Sequence, residues 1–363
     1  MGDYGKVVTG NTPPTKDIEN YENGTYLWAS PADLGTIKSI TETKTMLSAQ
    51  GFSKTRTLPK GSVLVTCIGS TIGKAGMATK EMSTNQQINS IVVNDNNDNE
   101  FVYYAIQSAF PRYLSSIAVQ AVPIISKSAF ELLPNNRPYL QEQKKIGKFL
   151  SMLDERIATQ NKIIDKLQTL IKGIVDSTIL RKEKNAIVGD VCSISEQIRA
   201  EANIDDIITV RLHGNGVCKS SAENLQLGAT QYYRRRAGQL IYGKQNFHNG
   251  AIGIVPISLD NGITSKDIPS FDIDEMKCNS VYLLAQLQSP QYYKPAEALT
   301  TGTGSKRLKE ETFLKMPIVL PNKREQDNIA TLIISISANL DQAKKMLDLF
   351  SIQKQYLLRQ MFI

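Results

Sequence analysis

The strongest constraint on this chain is that its sequence is written twice. Gly2-Asp3 returns as Gly189-Asp190, and Gly61-Ser-Val-Leu returns as Gly238-Gln-Leu-Ile at an offset of 177. Ile72-Gly73 matches Ile252-Gly253 and Thr84-x-x-x-Ile88 matches Thr264-x-x-x-Ile268, both at 180. Tyr103, Pro111 and Tyr113 match Tyr282, Pro290 and Tyr292 at 179, and Glu142-Gln143-x-x-Ile146 returns as Glu325-Gln326-x-x-Ile329 at 183. The order is kept and the offsets drift by only a few residues, which is the mark of a tandem duplication. Any fold for the 363 residues must therefore be one architecture built twice, and the length suits two units with their own cores.

Each half divides in the same way. Residues 1–140 and 185–321 hold nearly all the Pro and Gly, with short alternating apolar runs such as Ser62-Val-Leu-Val-Thr-Cys-Ile68. They read as mixed, strand-rich domains with a few short helices, among them Tyr103-Tyr-Ala-Ile-Gln-Ser and Tyr282-Leu-Leu-Ala-Gln-Leu-Gln-Ser, stopped near Pro111 and Pro290. Residues 141–184 and 322–363 contrast sharply, with apolar residues spaced four and three apart. In the first, Ile146, Leu150, Leu153, Ile157, Ile164, Leu167, Ile171 and Ile174 mark a seam. Adding 183 gives Ile329, Ile333, Ile336, Leu340, Leu347, Phe350, Lys354 and Leu357, so Lys354 alone breaks the apolar frame. Two long helices with one heptad frame predict a coiled coil, each helix packing on the other or on its own domain.

Composition adds little beyond class. Apolar content is 41% and charged content 21%, which excludes disordered and collagenous chains. No apolar run is long enough for a membrane span, and the start resembles no signal peptide. The four Cys (67, 192, 218, 278) are scattered without CxxC or short His spacing, which argues against disulfides and zinc and suits reduced thiols in a cytoplasm. The net charge of +7 divides as +1 over 1–140, +4 over 141–184, 0 over 185–321 and +2 over 322–363. The two globular domains are near neutral, yet each contains an acid-free basic window. Thr43–Lys80 carries Lys44, Lys54, Arg56, Lys60, Lys74 and Lys80, and Asn224–Leu259 carries Arg234, Arg235, Arg236 and Lys244. A neutral domain with one basic face binds a phosphate backbone and stays soluble. Beside the windows lie Asn85-Gln86-Gln87, and Gln245-Asn246 with His248-Asn249, side chains able to hydrogen-bond base edges.

Recognisable catalytic chemistry does not appear. Gly69-Ser-Thr-Ile-Gly73-Lys74-Ala75 is one residue short of a P-loop and has Ala75 where Mg²⁺ needs a hydroxyl, so it reads as a turn between strands. Gly302-Thr-Gly304-Ser-Lys306-Arg307 has no dinucleotide-binding context and reads as a basic loop touching phosphate or base. His213 and His248 suggest no triad. Asn11-Thr-Pro-Pro14 only superficially looks like the motif amino-methyltransferases use on a flipped base. No catalytic residue and no metal ligand is assigned.

With these residues in view the chain resembles, over essentially its whole length, the DNA specificity subunit of Type I restriction–modification systems. The resemblance is carried by Gly10-x-Thr12-Pro13, Trp28-x-x-Pro31-x-Asp33-Leu34, Leu58-Pro-x-Gly61-Ser-Val-Leu64, Ile72-Gly73-Lys74 and Thr84-Asn85-Gln86-Gln87-Ile88, with the helix entry Leu140-x-Glu142-Gln143-x-x-Ile146 and its copy at Glu325. The second half keeps the framework but lacks the Trp motif and Thr-Asn-Gln-Gln. The chain also starts almost at the repeat's Gly-Asp, without the longer lead of some relatives, an expectation of a trimmed first domain.

The resemblance implies an α+β fold of two mixed α/β target-recognition domains, 1–140 and 185–321. Each is followed by a spacer helix, 141–184 and 322–363, and the helices pair as an antiparallel coiled coil. Each domain reads one half of a bipartite target in double-stranded DNA, and the helices set the gap and dock two methyltransferase (modification) subunits. The chain itself is then non-catalytic and holds no cofactor. S-adenosylmethionine belongs to the partner methyltransferases, and ATP and Mg²⁺ to the restriction subunits of the full complex. The DNA-contacting set expected from windows and loops is Lys54, Arg56, Lys74, Asn85, Gln86, Gln87, Arg234, Arg235, Arg236, Lys244, Gln245, Asn246, His248, Lys306 and Arg307. Competing readings are a specificity subunit for a fused nuclease–methyltransferase, an enzyme in its own right, and a coiled-coil scaffold that binds no DNA.

Overall fold

The computed structural model describes residues 1–35, 37–116, 123–220, 230–302 and 306–362. Residues 221–229, part of the second basic window, and Thr303–Ser305 of the Gly-rich loop lie outside the described residues. The chain forms two compact units, one of residues 1–161 with 346–363 and one of residues 162–345.

In the first unit the strands are β1 (Gly5–Thr9), β2 (Tyr26–Ala29), β3 (Ser39–Ile40), β4 (Thr45–Leu47), β5 (Val63–Thr66), β6 (Ala75–Ala78), β7 (Ser83–Thr84) and β8 (Ile88–Val93). The alternating run at Val63 becomes the middle of a five-stranded sheet, β1-β8-β5-β6-β3, and β4-β2-β7 form a smaller sheet. Helices α1 (Ala49–Ser53), α2 (Asn99–Ser116) and α3 (Lys127–Leu132) precede the long α4 (Leu140–Val175). Val63, Val65, Ile91, Phe101, Tyr104 and Phe130 are buried in one core, into which α4 inserts Leu150 and Leu153. Burying such a side chain contributes about 1.5–3 kcal/mol, which holds the helix on its domain.

In the second unit the strands are β9 (Ala186–Ile187), β10 (Cys192–Ile194), β11 (Arg199–Ala200), β12 (Ile208–Val210), β13 (Val217–Lys219), β14 (Tyr232–Arg235), β15 (Leu240–Tyr242), β16 (Ile252–Ile254), β17 (Gly262–Ser265), β18 (Ser270–Ile273) and β19 (Pro317–Ile318). Helices α5 (Ser280–Leu287), α6 (Pro290–Tyr293) and α7 (Glu310–Leu314) precede the long α8 (Lys323–Met361). The main sheet, β10-β18-β15-β16, repeats the antiparallel order β1-β8-β5-β6 strand for strand. The parallel pairing of Trp28 with Ser83 recurs as the parallel bridge of Ile207 with Ile263. The antiparallel bridge of Leu58 with Met82 recurs as Arg235 with Gly262 in β14 and β17. The duplication is thus a duplication of topology and register.

The helix entries explain the Glu-Gln motif. Gln143 Oε1 accepts from the Asp98 amide at 3.0 Å, while its Nε2 donates to Asn97 Oδ1 at 3.1 Å and Pro138 O at 2.9 Å. Gln326 Oε1 accepts from the Asn279 amide at 2.9 Å, and its Nε2 donates to Lys277 O at 3.1 Å and Pro321 O at 2.8 Å. Both glutamines are buried, and Asp98 and Asn279 in turn accept from amides in the first turns of α2 and α5. One side chain in each half therefore satisfies buried backbone groups on two elements and fixes the long helix to its domain.

The short helices differ from expectation in one half. The helix over Ser280–Leu287 ends before Pro290, but α2 runs through Pro111 to Ser116. Proline removes one backbone bond inside that helix. The turn is kept because Phe110 packs edge-on with Tyr113 and against Phe130 in the core.

Most seam residues lie on the inward faces of the long helices. In the first unit Leu150 and Leu153 are buried, Ile146, Ile157 and Leu347 are half-buried, and Phe350 lies 5.9 Å from the Arg156 guanidinium. Phe362, just past the end of α8, stacks obliquely on Phe101, and Leu357 and Leu358 pack on the same core. In the second unit Ile164, Ile329, Ile333, Ile336 and Leu340 are buried, and Leu167 and Ile171 are half-buried. Ile329 and Ile333 share a core with Val175 and Ile179. Within each unit the helices thus pack on the domain as well as on a segment of each other. Among the described residues no helix is long and apolar enough to cross a membrane.

Candidate nucleic-acid interface

The register of the first sheet brings three loops to one end of it. Thr9 pairs with Asn89, Thr66 with Ile88 and Val65 with Ala75, so the chain leaves β1 and β5 and enters β8 and β6 at the same edge. The loops 10–14, 67–74 and 85–87 emerge there together. Asn11 ties them: its amide donates to Thr84 O at 2.9 Å, and its side chain bonds Lys54 O and the Arg56 amide at 2.9 and 2.8 Å. Arg56 Nη1 donates to Thr9 O at 2.8 Å, and Thr12 Oγ1 donates to Gln86 Oε1 at 2.5 Å. Trp28 Nε1 donates to Asn11 O, which gives the Trp motif a bracing role behind the loops. Lys54, Arg56, Gln86 and Gln87 therefore share one rim, with Gln86 and Arg56 exposed at its tip. Lys74, on the β5–β6 turn, is exposed and lays its stem against Gly35.

Asn85 is a correction to the expected contact set. It is buried, its Oδ1 accepts from the Gln87 amide and its Nδ2 donates to Gln87 Oε1, both at 3.0 Å. It holds the loop of the two glutamines and presents nothing outward.

The second sheet has the same rim. Ile194 pairs with Phe271, Ile241 with Ser270 and Tyr242 with Ile252. The β15–β16 loop, carrying Lys244, Gln245, Asn246 and His248, stands where 67–74 stands, and Lys266 and Asp267 stand where Gln86 and Gln87 do. Ile125 N donates to Cys67 O in the first unit, and Leu308 N donates to Lys244 O in the second, at 2.8 and 2.9 Å. Arg307 thereby reaches the rim, with its Nη2 3.2 Å from Asp267. Sequence reading missed two contributors. Lys266 is exposed at the position of Gln86, and the offset of 180 already pointed there. The β12–β13 turn is docked on the rim through His213 N to Asn249 O at 2.8 Å and Gly214 N to Gly250 O at 2.9 Å. That turn adds exposed Arg211, His213 and Asn215, and no local sequence signal marks a contact between segments this far apart.

Charge is distributed differently from the linear windows. Lys244 pairs with Glu310 at 2.7 Å, Lys306 with Glu297 at 3.2 Å and Lys54 with Asp17 at 3.6 Å, so carboxylates outside the windows neutralise part of the set. Arg234 and Arg236 are exposed without an ion pair among the described residues, but Arg236 lies before β15, at the opposite end of that strand from Lys244.

Arg235 is the second correction. It is fully buried, donating to Thr264 Oγ1 at 2.7 Å, Ser270 Oγ at 3.0 Å and Ile268 O at 3.0 Å. Burial pushes its guanidinium down to about 10, so it stays charged at neutral pH, stabilised by neutral oxygens. At the offset of 177 its counterpart is Leu58, itself fully buried. Arg235 is a core residue in a basic run, and it is not available to DNA.

Burial pushes the Cys67, Cys192 and Cys278 thiols up to about 12, and no metal-holding acidic, His and Cys cluster occurs among the described residues.

Tandem α/β domains each leading into a long helix define the class. The S subunit of the Type I restriction-modification system from M. genitalium shares this fold at a TM-score of 0.64 and 14% identity, over 99% of this chain and 93% of that one. A structure concerned with complex assembly and conformational transition of the type I R-M system matches at 0.52 and 13% identity, over 97% and 96%. In sequence, residues 1–169 match the model of the Type I restriction modification DNA specificity domain. The MjaIX specificity subunit of Methanocaldococcus jannaschii is 30% identical over 174 residues, covering 46% of this chain and 40% of that protein. The HindI specificity subunit of Haemophilus influenzae is 28% identical over 181 residues, covering 47% and 39%. The MjaVIII specificity subunit of M. jannaschii is 22% identical over 304 residues, covering 76% and 70%. The chain is thus similar to Type I specificity subunits in fold and over its first half in sequence, and its alignments span about two fifths of the first two proteins' length.

Proposed function

We propose that this chain is the sequence-reading, non-catalytic subunit of a Type I restriction–modification complex. Residues 1–140 and 185–321 act as two target-recognition domains, each reading one half of a bipartite DNA target through its rim. The observation that carries this reading is that one sheet topology presents the same set of loops at the same end in both halves, with different side chains on them. A shared frame with divergent tips is what two readers of two different half-sites require. Base edges would be met by Gln86 and Gln87 in the first domain and by Gln245, Asn246, His248 and Lys266 in the second. Arg56, Lys74, Arg234 and Arg307 would meet phosphates.

Residues 141–184 and 322–363 act as spacer helices. Their pairing as an antiparallel coiled coil is supported inside each unit: Lys354 of α8 meets Asp154 of α4 in the first, and Lys182 beyond α4 meets Glu325 of α8 in the second. The helices would set the gap between half-sites and dock two modification subunits, which carry S-adenosylmethionine. Restriction subunits would add ATP- and Mg²⁺-dependent translocation and cleavage, all in the cytoplasm.

The test is a single-molecule methylome of a methylation-free host expressing the chain with a methyltransferase subunit of its own system. A bipartite adenine-methylated motif that disappears when either gene is omitted is the expected result. No new methylation from a soluble, assembled complex would overturn the reading and favour a scaffold.

A further inference from the structure

The one seam position that breaks the apolar frame, Lys354, has a partner. Its Nζ lies 2.6 Å from Asp154 Oδ1 on α4, and both side chains are about four-fifths shielded from solvent. Asp154 Oδ2 accepts from the Tyr104 hydroxyl of α2 at 2.5 Å, and Tyr104 is fully buried. Lys38 Nζ, in the loop before β3, completes the cluster at 2.7 Å from Glu100, 2.9 Å from Ser151 Oγ and 3.2 Å from the Tyr104 hydroxyl. The Lys354 and Lys38 ammonium groups also sit 5.5 and 5.3 Å from the centre of the Tyr104 ring. A polar chain therefore runs from the end of α8, through α4, into the body of the first domain.

The duplication shows what this polar chain is for. At the repeat offsets Asp154 becomes Ser337, Lys354 becomes Ile171 and Tyr104 becomes Leu283, so the related place in the second unit holds no charge. Elsewhere the two helices share their apolar frame, and leucine, isoleucine and phenylalanine side chains at heptad spacing choose weakly between alignments one heptad apart. A slip of α8 by seven residues would set Leu347 or Met361 against Asp154. It would break the ion pair and strand the Lys354 charge in a largely dry seam, while the heptad positions of α4 and α8 would again meet apolar residues. A single polar residue at a heptad core position is known to select register at a cost in stability. A one-heptad slip moves a helix by roughly 10 Å, the length of about three base pairs.

We propose that Asp154 and Lys354, braced by Tyr104, are positioning residues that lock α8 to the first domain in one register and so restrict the DNA gap the protein accepts. This rests on the spacer reading of the helices given above. The contribution is to specificity: with both residues apolar, the seam is complete and the helices remain paired.

The experiment uses the full chain assembled with its modification subunits, methylating duplexes that carry the native target with the gap unchanged or altered by one or three base pairs. The Asp154→Leu/Lys354→Leu double variant is expected to keep or raise its Tm and to raise off-gap relative to native-gap methylation by about tenfold. The charge swap Asp154→Lys/Lys354→Asp is expected to bring the ratio back towards that of the unaltered protein. Tyr104→Phe, which removes only the brace, gives a smaller rise and decides the matter if the double variant fails to assemble. An unchanged gap ratio in the double variant, or in Tyr104→Phe where the double variant does not assemble, overturns the proposal. If the unaltered complex itself shows no gap preference, it is the spacer reading that fails.

Discussion

The two halves keep the same framework and differ where the framework ends. Each has the four-strand antiparallel order, the buried glutamine at the helix entry and the segment tucked beside the β5–β6 or β15–β16 loop. The first rim is amide-rich, held by Asn11 and Asn85, and Trp28 backs it. The second carries the exposed β12–β13 turn, and several of its cations are paired, with Asp267, Glu297 and Glu310. The lesson is that duplication holds the residues that satisfy buried backbone groups and frees the residues that meet solvent. A buried orphan donor costs about 1–3 kcal/mol whatever the chain binds, whereas an exposed loop side chain costs almost nothing to change.

The sharpest way to break the comparison is at Leu58 and Arg235, equivalent positions with opposite chemistry. Arg235→Ala leaves a cavity and removes a donor from each of the oxygens of Thr264, Ser270 and Ile268, so chemical denaturation should show a loss of about 3–5 kcal/mol confined to the second unit. Arg235→Leu, which restores the first half's residue, should lose less. A variant as stable as the unaltered protein, but weakened on DNA, would return Arg235 to the interface.

Next in size is the glutamine clamp. Gln143→Ala and Gln326→Ala each remove the partner of a buried backbone amide, and each should cost about 2–3 kcal/mol, read as early proteolytic release of α4 or α8 from its domain. Equal losses support the equivalence of the halves. A loss at one site alone would mean the clamp matters in only one of them. Gly147 sharpens the same point. A Cβ there would stand 2.5 Å from Asp98 Oδ1, although the repeat position is Ala330. Gly147→Ala should therefore destabilise the first unit by about 1–3 kcal/mol, measured as a lowered Tm.

Much of the frame was legible in the sequence. The repeat offsets match positions that share topology in the two halves, and the shared heptad frame falls inside α4 and α8. What escaped depends on three-dimensional neighbours. Arg234 and Arg235 are adjacent in β14, and strand alternation sends the first to solvent and the second inward. Asn85 precedes Gln86 in a polar run, yet its side chain turns back to cap the loop. The acid-free windows reported local charge correctly, and Glu310 and Asp267 enter from other segments to neutralise cations at the second rim. Pro111 argued for a helix end, and aromatic packing overruled it. Lys354, an exception to a pattern, turned out to mark a contact the pattern had no means of naming.

The smallest expected effects are the ones that separate positioning from reading, and they distinguish the two rims. Arg234→Ala and Arg236→Ala touch exposed residues outside the folded cores, so stability should stay within about 0.5 kcal/mol. If either guanidinium meets a phosphate, its removal lowers the slope of log K against log salt by about 0.9, with affinity reduced alike on every sequence. A change at Gln86 or at Lys266 should do the reverse. Where the side chain meets bases, its removal leaves the slope nearly unaltered and shifts the preferred base at one position of one half-site by about 1–3 kcal/mol. Because the two residues occupy one repeat position, their preferences should change in different halves of the target. Gln86→Ala and Lys266→Ala that alter the same half-site, or lower affinity uniformly, would break the assignment of one rim to each half. A lysine at the second rim also carries charge that a glutamine lacks. A shallower slope for Lys266→Ala with no shift in base preference would therefore move that residue to the phosphates and leave base reading there to Gln245, Asn246 and His248.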